Sequence, residues 1–406
     1  MNIILLLLQS ATFFTRFLLI IFLSIKFSIN EFGYFGSTVA LIYLCIFFIG
    51  FGYSNIIARS LAKTKNFNQK IKFFNSLFIT NVVFFILFLV FIFILYKIGI
   101  ISISKKWSIF FLIIFFELFV IEHRKLLQSL SKHLESGVVE FLRSSIWIYP
   151  LIFYYFKNNL TIENVFEFWL IGVFTSTFII FFILKDYFKL SIANLIFSFH
   201  MIIDKFKLAF FFFLNTFYYL YIETGAKILL SYHDKIYLAG IYTFISTFVF
   251  VIPILLWSST FATNYELLAV ASNNLKNLKL KNRLKNIFLK STFLLIVLAF
   301  LSYSAFYVIT NNFINSEYYE YKNILIIMLI ILIVMNFDLH LGYYLHFLEK
   351  DYINAISGLI PIIFFSILFF ISSSDININL IIIFMFFSYV LSSIIKIFFL
   401  KRLRIR

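Results

Sequence analysis

Cysteine, proline, glycine and charge are all in short supply in this chain. The single cysteine, Cys45, has no intrachain partner and lies within an apolar run, so no redox compartment can be read from it. Gly totals 11 and Pro three beside heavy use of Phe, Ile, Lys and Asn, a pattern that reads as AT-rich coding bias and carries no functional information. Only 13% of the residues are charged, and no polar stretch is long enough to be a soluble domain. The N-terminus lacks a basic residue before its apolar run, lacks a small-residue cleavage site, and has Arg16 inside the run, so a retained helix is expected in place of a signal peptide. There is no GxxxxGK loop, no cysteine pair and no histidine spacing that suits a metal. His123 and His133, ten apart, are expected in a solvated loop. No catalytic constellation, cofactor or metal site is therefore expected. Period-two alternation is missing too: Phe84 to Tyr96 is apolar throughout, which argues against a membrane β-barrel.

What the chain has is hydrocarbon. Of 406 residues 63% are hydrophobic, and Phe alone occupies 62 positions, more than the interior of a soluble domain could hide. Apolar runs of about 20 residues recur, the length a helix needs to cross roughly 30 Å of bilayer. Twelve spans are predicted, over 3–25, 36–56, 76–96, 107–121, 137–156, 164–184, 208–230, 236–257, 291–310, 323–346, 353–372 and 379–400. Lys and Arg number 23 in one set of alternate loops and seven in the other. The positive-inside rule then places both termini in the cytoplasm of a multi-pass protein. The net charge of +16 does not indicate nucleic acid, because the basic residues punctuate lipid-length segments and do not gather on a soluble face.

Within the connection 185–207, Phe188, Ile192, Leu195, Ile196, Phe199, Ile203 and Phe206 recur at helical spacing over too short a length to span. An amphipathic helix on the inner membrane surface is predicted there, joining two halves. A shift of 207 positions aligns Leu23 and Ser24 with Leu230 and Ser231, Ile29 with Ile236, and Gly33 with Gly240. The expected fold is an all-α integral membrane protein of about 12 transmembrane helices in two parallel six-helix halves, 1–184 and 208–406, about the cytoplasmic linker 185–207.

Ionisable groups inside spans cost about 2.5 to 3.5 kcal/mol each at mid-helix and usually face a bundle interior or a wet cavity. Glu140 and Arg143, three apart, and Glu223 and Lys227, four apart, share helix faces and can pair on their own helices. Glu117, Glu167 and Lys396 lie near span ends, where snorkelling explains them. Asp338 and His340 sit within the tenth span. Arg16 has no partner on its own helix, since its neighbours three and four away are Thr12, Phe13, Leu19 and Ile20, and the 207-residue shift pairs it with Glu223. Arg16, Arg143 and Lys227 are the candidate substrate-binding residues; Glu140, Glu223 and Asp338 are the candidates for coupling or ion pairing. Pro150, Pro253 and Pro361 can kink their helices, and Trp107, Trp169 and Trp257 are expected at membrane faces.

Two stretches carry a family resemblance. One runs from Arg16 to Lys63, with EFGYFG at Glu31–Gly36 and GFGYSNIIARSLAK at Gly50–Lys63; the other runs from Glu223 to Leu268, with AGIYTF at Ala239–Phe244 and Pro253 after it. They resemble the flippases of the multidrug/oligosaccharidyl-lipid/polysaccharide exporter superfamily, although Glu223 and Lys227 sit earlier than that family's acidic-basic signature. The resemblance implies a MATE-like fold. It also implies a transporter that flips a polyprenyl-pyrophosphate-linked oligosaccharide, such as an O-antigen unit, across the bacterial plasma (inner) membrane by alternating access. An H+ or Na+ gradient, the membrane potential or consumption of the product outside would supply the energy, and membrane lipid, the lipid-linked oligosaccharide and other polysaccharide-assembly membrane proteins would be the partners. Two rivals are a membrane polymerase or glycosyltransferase acting on lipid-linked glycans, and a MATE-like small-molecule exporter. The first generally needs a sizeable outside domain, whereas the largest outside loop here, 311–322, is about a dozen residues.

Overall fold

The computed structural model describes residues 3–64, 66–98, 107–157, 159–189, 192–256, 260, 278–314, 317–348, 350–371 and 377–404, and contains helices and no strands among them. In chain order the helices are α1 (Ile3–Lys26), α2 (Ile29–Gly50), α3 (Tyr53–Lys63), α4 (Phe67–Lys97), α5 (Trp107–Ser129), α6 (His133–Phe141), α7 (Ile148–Tyr155) and α8 (Ile162–Leu184). There follow α9 (Ile192–Tyr232), α10 (Ile236–Leu256), α11 (Leu278–Asn312), the single turn α12 (Glu317–Glu320), α13 (Lys322–Phe347), α14 (Asp351–Ile371) and α15 (Ile378–Arg404). The twelve predicted spans fall on these helices, with α6, a π-helical turn at Leu142–Ile146 and α7 together making the fifth.

Among the described residues eight helices are long and apolar enough to cross a membrane, and Asp351–Ile367 is a shorter apolar one. Helices outside that set are interrupted or carry several polar groups. Helix α5 holds Glu117, Glu122, Arg124 and Lys125, α6 and α7 are separated by the π turn, and α9 holds Asn215, Glu223 and Lys227. A helix that would be costly to place in lipid alone is tolerable when its ions are matched by neighbouring helices.

Three boundaries differ from the sequence reading. The second span ends at Gly50, because Phe51 and Gly52 take positive φ (44° and 75°) and the chain restarts as α3. Glycine is required at 52: a Cβ there would meet the Ala209 carbonyl oxygen at 3.0 Å on top of the left-handed backbone. The fourth span does not stop at 121. Helix α5 runs on to Ser129 and buries Glu122 and His123, so His123 is a core residue stacked on Phe119 and not part of a solvated loop. The predicted surface linker is continuous with the seventh span, since no Gly or Pro interrupts α9 before Gly225. Ile196, Phe199, Ile203 and Phe206 are exposed along its first half, as an amphipathic face requires.

The chain forms two compact units: Met1–Leu19 with Leu41–Phe213, and Ile20–Ala40 with Leu214–Arg406. The division departs from the expected halves because the α1–α2 hairpin, 20–40, belongs to the second unit. In the first unit, Leu126 and Leu127 of α5 pack with Phe74 and Leu77 of α4 and Ile180 of α8. In the second, backbone meets backbone where α2 crosses α10. A Cβ on Gly33 would lie 2.1 Å from the Ile236 carbonyl oxygen, and one on Gly240 would lie 2.2 Å from that of Ile29. Ile29 with Ile236 and Gly33 with Gly240 are the pairs aligned by the 207-residue shift, so this crossing is locally self-complementary. Only side-chain-free positions permit that approach, the usual device for packing helices in lipid. Ser37 adds a hydrogen bond to the Lys227 carbonyl oxygen at 3.1 Å.

Candidate functional site

The first unit gathers five ions from four segments of chain. Glu117 and Arg124 are seven apart on α5, two turns along one face. Glu140 lies on α6, Arg143 in the π turn, and Arg16 on α1. Pro150 begins the turn after Ile146 and has no N–H to give to that carbonyl, which favours the loosened π turn before it. In that turn Arg143 is buried, and the Trp147 indole donates to the Arg143 carbonyl oxygen at 3.1 Å.

Arg143 is the centre of the cluster. Its Nη1 donates to Glu117 Oε2, while Nη2 and Nε donate to Glu140 Oε1 and Oε2 at 2.7 and 3.1 Å. The other oxygen of Glu117 accepts from the Trp169 indole at 2.7 Å. Glu140 also receives Arg16 Nη2 at 2.9 Å and pairs with Arg124. One carboxylate thus holds three guanidinium groups. The cluster carries three positive and two negative charges, a net of +1, and the exposure is graded: the side chains of Arg16 and Arg124 are 34% and 28% exposed, those of Arg143 and Glu117 6% and 1%. The buried members satisfy one another, and the unmatched positive charge lies with the accessible arginines. Tyr43 of α2 stacks at a tilt on Trp169, with ring centroids 6.0 Å apart. Thr15 and Tyr149 share a hydroxyl contact of 3.2 Å beside the cluster.

The structure therefore brings together three of the six candidate residues, Arg16, Glu140 and Arg143. The carboxylate of Arg16 is Glu140, not the Glu223 suggested by the shift. Glu117 does not snorkel: it is a buried partner of Arg143. Trp169 is not interfacial either, being 5% exposed and bonded to Glu117. Trp257 lies outside the described residues. Arg124 falls beyond the predicted fourth span, 107–121, and its seven-residue spacing from Glu117 is the sequence signal that puts both on one face of a longer helix.

In the second unit Asp338 of α13 pairs with Lys396 of α15 at 2.8 Å, both fully buried, so Lys396 does not snorkel. His340, two residues on, contacts Ser291 of α11 at 3.2 Å and faces a different neighbour. Glu223 and Lys227 occupy one face of α9 at intermediate exposure, but among the described residues no ion pair within 4.0 Å joins them. Also among the described residues, no group of three His, Cys, Asp or Glu side chains is placed to hold a metal ion.

No protein-family model and no curated protein sequence matches the chain. Solved structures do. The lipid II flippase MurJ, in an inward closed conformation, matches with a TM-score of 0.70 at 17% identity, over 98% of this chain and 87% of that one. A multidrug resistance MATE family transporter of the MOP superfamily, in its inward-facing conformation, matches with a TM-score of 0.64 at 12% identity, over 96% and 94%. A MOP superfamily transporter from Pyrococcus furiosus, described as having a binding pocket of reversed polarity, matches at 0.55 and 11%, over 99% and 93%. This chain accordingly shares the all-helical fold of those transporter structures.

Proposed function

We propose that the protein is a membrane transporter that flips a lipid-linked anionic glycan, an oligosaccharide on a polyprenyl pyrophosphate, from the inner to the outer leaflet of a bacterial plasma membrane. The observation that carries the reading is the unmatched positive charge of the Arg16–Arg124–Glu140–Arg143–Glu117 cluster. Guanidinium groups hold phosphate oxygens with paired, charge-assisted hydrogen bonds, and a desolvated cluster with one cation too many is completed by an anion. A small cationic drug would be repelled there. The fold is shared with a flippase of a lipid-linked substrate and with multidrug transporters, so cargo has to be argued from the site, and the sign of its charge favours the anion. In this reading both termini are cytoplasmic, an H+ or Na+ gradient or the membrane potential supplies the energy, and no chemical step occurs on the substrate.

The test is reconstitution. Purified protein in liposomes is given a fluorescent lipid-linked oligosaccharide in one leaflet, and its arrival in the other is followed against a panel of cationic drugs. Flipping of the glycan, lost in Arg16→Ala, supports the reading. Export of drugs without movement of the glycan overturns it, and turnover of the glycan into longer polymer would make the protein an enzyme.

A further inference from the structure

The second unit holds a buried polar centre of its own. Asp338 and Lys396 are each 0% exposed. The Lys396 ammonium donates to Asp338 Oδ2 at 2.8 Å, to the Asp338 carbonyl oxygen at 3.2 Å and to the Tyr219 hydroxyl at 3.1 Å, so each of its three N–H bonds is directed at a different oxygen. The carboxylate is held in turn: the Tyr219 hydroxyl donates to Oδ2 at 2.8 Å and Ser393 to Oδ1 at 3.2 Å. Gly342 leaves room at the same place. A Cβ there would lie 3.5 Å from Lys396 Nζ, 3.6 Å from Asn354 Oδ1 and 3.7 Å from the Tyr219 hydroxyl. Asn354 turns its N–H to the Gly342 carbonyl oxygen at 2.8 Å, which leaves its own amide oxygen buried without a hydrogen-bond partner.

Carboxylate, backbone carbonyl and phenol oxygens around one positive atom, with an unpaired amide oxygen facing the same glycine, are the kind of donors that a hard metal cation takes. A structural strut accounts for this less well. Replacing a buried ion pair by apolar side chains of similar volume is often neutral or stabilising, so stability alone gives no reason for the pair. A strut also gives no reason to leave an amide oxygen unpaired beside it. We propose that the Asp338 centre is a monovalent-cation site whose resident cation is the ammonium of Lys396. The chain thereby supplies its own counter-ion, and this carboxylate needs no Na+. The proposal rests on the transporter reading only for its consequence, that a sodium gradient does not act through Asp338.

The experiment is a thermal-stability titration of the full chain in detergent, exchanging choline chloride for sodium chloride at constant ionic strength and pH, which needs no substrate and so is independent of the cargo. Wild type is expected to be indifferent to the exchange. Lys396→Ala, purified in sodium chloride throughout, is expected to lose several degrees of Tm in choline and to regain them saturably with Na+. Asp338→Asn with Lys396→Met, which removes both charges, is expected to be indifferent again. Sodium dependence of the wild type overturns the proposal, because the site then takes a metal ion beside the lysine. So does a folded Lys396→Ala protein that ignores Na+, or one that cannot be obtained folded in sodium chloride while the double variant can. Failure of glycan flipping with these stability results intact would instead remove the cargo assignment.

Discussion

Arg16 and Arg143 touch the same carboxylate, and their replacement by alanine is expected to fail in opposite ways. In Arg16→Ala, Glu140 Oε1 keeps Arg143 Nη2 at 2.7 Å and Oε2 keeps Arg143 Nε at 3.1 Å together with Arg124. No buried group is orphaned, and the cluster falls from a net +1 to neutrality. The pair is partly buried, at 34% exposure for Arg16 and 15% for Glu140, but Glu140 keeps two other guanidinium partners, so the structural loss is small, about 1 kcal/mol. If Arg16 donates to the phosphate, the binding loss is that of a hydrogen bond to a charged group, about 1.5 to 3 kcal/mol. At 1.4 kcal/mol per factor of ten this is roughly a 10- to 150-fold fall in flux at limiting substrate. In Arg143→Ala, by contrast, Glu117 keeps only the Trp169 indole and is left charged at 1% exposure. Breaking a buried pair from one side costs about 3 to 5 kcal/mol, roughly a fifth or more of the stability of an ordinary domain. Membrane abundance and Tm in detergent measure the first quantity; leaflet transfer in liposomes at matched protein measures the second. Arg16→Ala should be abundant with its flux lowered by that factor, Arg16→Lys less impaired through its point charge, and Arg143→Ala scarce. Normal flux in Arg16→Ala would refute the assignment, and scarcity of Arg16→Ala would refute the graded burial on which the argument depends.

Replacing Trp169 by Phe keeps the ring and deletes the N–H that Glu117 accepts, so Tm should fall by an amount equivalent to about 1 to 3 kcal/mol with flux per folded molecule preserved. Gly33→Ala and Gly240→Ala each force a Cβ onto a backbone oxygen and should destabilise by about 1 to 3 kcal/mol or more, whereas Gly50→Ala, whose nearest atom is 3.4 Å away, should be nearly silent in the same denaturation assay. For Glu223 and Lys227, opposite charges four apart on α9 that act on each other without an ion pair within 4.0 Å, a double-alanine cycle on transport should give a modest coupling of about 0.5 to 1 kcal/mol; a coupling above about 2 kcal/mol would mean that they pair directly in the working protein. Reporter fusions after Lys72, Lys207 and Lys285 should be active only for a cytoplasmic reporter and fusions after Glu31 only for an external one; an external signal at Lys207 would invert the second half.

Hydropathy and length were enough to locate the helices, because a bilayer leaves a spanning segment no backbone hydrogen-bond partners but its own, and every crossing must then be an apolar run of fixed length. The repeat was legible at Gly33 and Gly240 for a related reason: a crossing close enough to exclude Cβ tolerates little else at those positions. Arg16 could be flagged from sequence because it lacked an i±3 or i±4 partner, and Glu140 with Arg143 because they had one. The identity of the partners was decided by tertiary structure alone. Whether a charge near a span end snorkels or is buried depends on which helix lies beside it, and local sequence does not hold that information. Glu117 and Lys396 look alike as end-of-span ions, yet one is sealed by Arg143 and Trp169 and the other by Asp338 and Tyr219. The same holds for Arg124, whose place in the cluster follows from α5 continuing past residue 121, and for α9, which runs unbroken from the predicted linker into the seventh span. Periodicity determined what must be buried, and packing decided against what, because the energy of a desolvated charge is set by neighbours distant in the chain.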